Sequence, residues 1–91
     1  MVRKTIILMD IEGLHARNSA KISILCTKSS AQVKIHFRGK TANGKNILDL
    51  MDLGASYRDE LTLEVDGPGE EDVIQALERA LNGSPCTDSR K

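Results

Sequence analysis

Residues 61–83 read LTLEVDGPGEEDVIQALERALNG. Leu61, Leu63 and Val65 alternate with polar residues, which makes the first five positions a strand with one apolar face. DGPGEED is a turn that feeds a helix. Pro68 precedes that helix, and Glu70, Glu71 and Asp72 fill its first turn, where the helix dipole favours acids. Val73, Ile74, Leu77 and Leu81 form its apolar stripe, and Gly83 follows its end. A half-buried strand running straight into an amphipathic helix points to a sheet covered by helices on one side.

The rest of the chain repeats these units. KTIILM is a strand candidate rich in β-branched residues. From Ala16 to about Lys28 no glycine or proline intervenes, and Ala16, Ala20, Ile24 and Leu25 recur at helical spacing. QVKIHF alternates strictly, with Val33, Ile35 and Phe37 on one face and Gln32, Lys34 and His36 on the other. RGK is a tight connection, and KTA can pair back as a short strand. NGKN is turn chemistry. NILDLMDLG makes one or two helical turns, capped by Asn46 and ended by Gly54. The predicted fold is α+β: an open-faced β-sandwich of order βαββαβα, with four antiparallel strands and three helices on one face.

Ninety-one residues make one domain with one modest core. We place that domain at 1–83 and expect a disordered tail over 84–91. Aromatic residues are 2% of the chain, so the core is aliphatic, with Phe37 and Tyr57 as its aromatic exceptions. Thirteen basic and thirteen acidic residues balance, which argues against binding nucleic acid or membrane by bulk charge. A single-strand RNA binder would also need an aromatic sheet face. The longest apolar run near the start, IILM, is too short for a signal core or a membrane span, so a cytoplasmic protein is expected. Cys26 and Cys86 lack metal-ligand spacing; Cys26 reads as a small buried apolar residue and Cys86 as part of the frayed end. No metal or cofactor is expected.

The chemically unusual stretch is EGLHARNSAK, residues 12–21. It puts His15 and Arg17 where a helix begins, although the dipole disfavours cations there. A helix N-terminus is a ready anion site. A neutral imidazole nitrogen is a nucleophile for phosphoryl groups. The pair makes sense if an anion arrives during function and meets the backbone amides of Ala16 and Asn18 and the guanidinium. The residues alone leave a second reading open, in which His15 is an exposed cap and Arg17 a surface charge. Asn18 is itself a good N-cap, and a helix starting at Ser19 would leave His15 on the loop.

GLHAR followed by AKI resembles the active-site signature of the histidine-containing phosphocarrier (HPr) family of the bacterial sugar phosphotransferase system. ANGKNILDLMDLGA resembles that family's second signature, and DELTLEV plus a helix its last strand and helix. The resemblance covers about residues 1–82. It implies that His15 accepts a phosphoryl group, derived from phosphoenolpyruvate, from Enzyme I. It further implies transfer to IIA domains of the transport system, with Arg17 stabilising the group. The implied protein is a carrier and not an enzyme, a monomer that docks partners through Ile47, Leu48 and Met51.

Three departures stand out. Asn18 occupies a position that is usually proline, which stiffens the first helical turn. Asn46 replaces the regulatory serine, so no hydroxyl is available there for phosphorylation. Asp49 and Asp52 add charge beside the implied docking residues, where they would alter partner choice. Two alternatives follow: a regulatory branch of the family, nitrogen-type or from an incomplete system, that does not feed sugar uptake; or, from another class, an ACT-like ligand-binding or interaction module with an incidental histidine.

Overall fold

The computed structural model describes residues 1–9, 11, 13–81 and 83–85. Strand β1 (Val2–Leu8) leads to helix α1 (Ala16–Thr27), then strands β2 (Gln32–Phe37) and β3 (Lys40–Asn43). Helix α2 (Ile47–Asp52), strand β4 (Glu60–Asp66), helix α3 (Glu70–Ala80) and strand β5 (Gly83–Pro85) follow. The sheet order is β3-β2-β4-β1-β5 and every pair is antiparallel. β1 and β2 therefore run parallel on either side of β4, and α1 is the crossover between them. α3 makes the same kind of crossover from β4 to β5. The four expected strands and three helices are all present, with the helices on one face.

Alternation sets the two faces of the sheet. Ile6, Leu8, Val33, Ile35, Leu61, Leu63 and Val65 are buried under the helices, and Leu50, Leu77 and Leu81 close the core from above. The opposite face is polar. There Glu64 Oε1 accepts from Arg3 at 3.0 Å and from His36 Nε2 at 2.9 Å, and His36 Nδ1 meets the Thr41 hydroxyl at 2.9 Å. The carboxylate only accepts, so Nε2 carries a hydrogen. His36 thus lies away from the core, as its position in the alternation requires. β2 and β3 join through Arg38 and Gly39, both at positive φ (48° and 81°), the conformation a two-residue hairpin loop demands.

Four features of the sequence reading are corrected. The buried side of α1 is Asn18, Ser19, Ile22 and Cys26, while Ile24 is 58% exposed and Ala16 also faces solvent. The inward stripe mixes polar and apolar residues because Ser19 Oγ and Asn18 Nδ2 find carbonyl acceptors, so a search for apolar periodicity picks the wrong face. Tyr57 is not in the core: it is 43% exposed, with the Arg58 guanidinium 5.9 Å from its ring centre. Only Phe37 is a buried aromatic. The tail does not begin at residue 84, because Ser84 and Pro85 pair with Ile7 and Ile6. β1 is otherwise an edge strand with unpaired backbone groups, and a short segment can add to it. Residues 86–91, including Cys86, lie outside the described residues. The fourth correction concerns Asn18, which is not an N-cap.

Candidate functional site

The site is the start of α1. His15 is the N-cap, with φ −77° and ψ 175°, and its side chain makes no capping bond. The helix thus begins at Ala16, and His15 adjoins it instead of being left on a loop ahead of Ser19. The first helical bond runs from the Ser19 N–H to the His15 carbonyl at 2.8 Å. The amides of Ala16 and Arg17 lie ahead of that bond and point out of the helix end. His15, Ala16 and Arg17 are exposed. The Arg17 guanidinium has no ion-pair partner among the described residues. A helix end, an exposed cation and an accessible imidazole within three residues can receive a dianionic group and form a covalent bond to it.

Asn18 sits in the first turn and is 4% exposed. Its Nδ2 donates to the Gly13 carbonyl at 2.6 Å. Behind it, Leu14 N–H donates to the Ala55 carbonyl at 3.1 Å and Ser19 Oγ to the Leu14 carbonyl at 3.4 Å. Gly13 has φ +68°, and a Cβ there would lie 2.7 Å from the Ala55 oxygen. This close approach requires glycine. The sequence reading missed these anchors: Leu14 and Gly13 meet the 55–56 segment, far along the chain, and the Asn18 and Ser19 bonds run to backbone carbonyls that the sequence does not mark.

α2 lies beside α1. Asn46 caps it, its Oδ1 accepting from Leu48 N–H at 2.9 Å and Asp49 N–H at 3.2 Å. Leu48 is 67% exposed, Met51 is exposed and Ile47 half-buried. Asp49 does not share that apolar flank. It leans toward β3, where its carboxylate accepts from Asn43 N–H at 3.4 Å, and a cleft there places Asp49 and Asp52 with Lys40 and Thr41. Among the described residues no group of three acidic, histidine or cysteine side chains could hold a metal. No helix of the described residues is long and apolar enough to cross a membrane.

The family model described as "PTS HPr component phosphorylation site" matches residues 2–83. The chain belongs to the HPr family. An HPr phosphocarrier protein from Cupriavidus necator is 36% identical over 77 residues, 85% of this chain and 86% of that protein. The crystal structure of an HPr from Thermoanaerobacter tengcongensis superposes with a TM-score of 0.85 at 33% identity, covering 90% of this chain and 92% of the other. The Crh protein of Bacillus subtilis, a catabolite repression protein described as a swapped dimer, gives 0.72 at 28% identity, covering 90% and 94%. The chain is accordingly an HPr-like phosphocarrier of the phosphotransferase system, with the open sheet and three helices of that family.

Proposed function

We propose that His15 is the phosphoryl-carrying residue: it accepts the group from Enzyme I, charged by phosphoenolpyruvate, and hands it to IIA domains. The observation that carries this reading is the exposed imidazole at the N-cap of α1 beside an exposed Arg17 that has no ion-pair partner among the described residues. In the transfer, a ring nitrogen of His15 bonds to phosphorus as the donor's own bond to phosphorus breaks. The other ring nitrogen keeps its hydrogen. The incoming charge meets the first-turn amides, Ala16 and Asn18 among them, and the guanidinium. The chain supplies one nucleophile and one cation; its partners supply the catalysis, so it acts as a carrier and needs no cofactor.

Partners dock on the exposed apolar flank of α2, Ile47, Leu48 and Met51, next to the α1 end. Position 46 has no hydroxyl, and its amide oxygen is already used in capping, so control by phosphorylation there is absent from this chain. That absence also supports the second reading, a regulatory branch that relays phosphate between proteins without feeding sugar uptake. We place the carrier domain at 1–85, in the cytoplasm, as a monomer; sedimentation would distinguish this from a swapped dimer like that described for Crh.

The test is incubation with magnesium, phosphoenolpyruvate and either a sugar-type or a nitrogen-type Enzyme I. Phosphorus NMR should show an acid-labile phosphohistidine in the parent and none in His15→Ala. A folded parent that takes up no phosphate from either enzyme would overturn the reading, and which enzyme succeeds identifies the branch.

A further inference from the structure

We propose that Asn18 is a positioning residue for His15, acting through the Gly13 carbonyl; the inference rests on His15 being the phosphoryl acceptor. Burying a carboxamide in the first turn of a helix is unfavourable unless its polar atoms are bonded. Here the side chain reaches back five residues and grips Gly13 at 2.6 Å. The segment it grips is the one that delivers His15. The peptide groups of Gly13 and Leu14 are also tied by Leu14 N–H to Ala55 at 3.1 Å and by the longer Ser19 Oγ contact to Leu14 at 3.4 Å. Neither reaches the Gly13 carbonyl. Without Asn18 the carbonyl side of the peptide after Gly13 is released and the Leu14 N–H bond to Ala55 is left to hold it, so the extended N-cap conformation of His15 starts from a looser point.

The geometry inverts the usual capping arrangement. In a capping box, the first-turn side chain accepts from the cap's own amide. Here the first-turn side chain donates outward, to the carbonyl two residues before the cap. It restrains the approach to the helix and leaves the helix end to the incoming anion. Proline, usual at this position in the resembling family, restrains the backbone by its ring. Asn18 restrains it through a side-chain hydrogen bond.

The effect should fall on the chemical step. Partners reach the protein through Leu48 and Met51 on α2, whereas transfer needs the imidazole aligned with phosphorus to within about 1 Å. In single-turnover transfer from phosphorylated Enzyme I, Asn18→Ala should lower the maximal rate about tenfold with the half-saturating concentration unchanged. NMR relaxation should show the Gly13–His15 amides becoming mobile while the remainder of α1 stays ordered. Ser23→Ala is the control. It removes a side-chain bond from the same helix to the Lys45 carbonyl, 3.1 Å, away from the loop, and should leave both readouts near the parent's values.

Asn18→Asp serves if the alanine variant fails to fold. It keeps the shape, suits the helix dipole and loses the donor, and it should loosen the same three amides. Parent-like rates and order in a folded Asn18→Ala, or losses matched by Ser23→Ala, would overturn the proposal. A parent that no Enzyme I phosphorylates would instead sink the carrier reading, and this inference with it.

Discussion

Cys26 is fully buried on the inward side of α1, and a Cβ on Gly44 would lie 3.0 Å from its sulfur. Burial pushes the thiol up to about 11 from its ordinary 9.0, against a smaller opposing pull from Lys45. A raised folded value means that the folded state keeps its proton after the unfolded state has released it. The stabilisation is whole below pH 9.0 and declines as pH rises toward about 11. Thermal unfolding of the parent should therefore fall more steeply across that window than in Cys26→Ala, whose lower starting stability reflects the lost packing. Equal slopes would contradict it. At this scale the sequence is legible where a residue's role is local. Asn46 caps the helix that starts beside it. Cys26 reads as an apolar residue, and burial makes it one. Asn18 is not legible, because its burial depends on how the loop before His15 folds over the first turn.

For the elements, α1 carries the test of the correction. Ile22 is fully buried whereas Ile24, two residues on, is more than half exposed. Truncating a buried isoleucine costs about 2–5 kcal/mol, while an exposed one costs within about 0.5 kcal/mol. Ile22→Ala should thus lower the unfolding free energy by several kcal/mol and Ile24→Ala hardly at all, as measured by denaturant titration. The sequence pattern predicts the reverse for Ile24. The element itself was readable, since twelve residues without a breaker make a helix; its orientation was not, because Ser19 and Asn18 hide in the inward stripe. In α3 the stripe is uniformly apolar, and there Ile74, Leu77 and Leu81 are buried as expected.

At the scale of the whole molecule, acidic side chains tie separate strands and ends together. Glu64 on β4 joins Arg3 of β1 and His36 of β2, and these partners hold its carboxyl below the usual value, hydrogen bonds from Arg3 contributing most. Glu70 at the start of α3 accepts from Gly67 N–H and from the chain's amino terminus, which likewise lowers it. With folded values below the unfolded 4.5, both stabilise the fold above that pH and lose their effect as pH falls through the lowered values. Acid unfolding followed by circular dichroism should be flatter below pH 4.5 in Glu64→Gln/Glu70→Gln than in the parent. An unchanged acid limb would show that these ties contribute nothing.

What the sequence determined by itself was the menu and order of elements, the faces of the strands, and the placing of a histidine and an arginine, residues 15 and 17, at the start of a helix. Each of these follows from spacing along the chain: period two in the strands, and helix ends marked by local caps. The tertiary structure alone decided which side of α1 faces the sheet, that Asp49 turns to β3 instead of joining the apolar flank of α2, that the segment after α3 adds a strand to β1, and that Asn18 holds the loop before His15. These depend on contacts between groups distant in the chain or out of register with it. A buried hydrogen bond leaves no hydropathy signal, because the donor still reads as polar and its acceptor is a carbonyl that every residue carries.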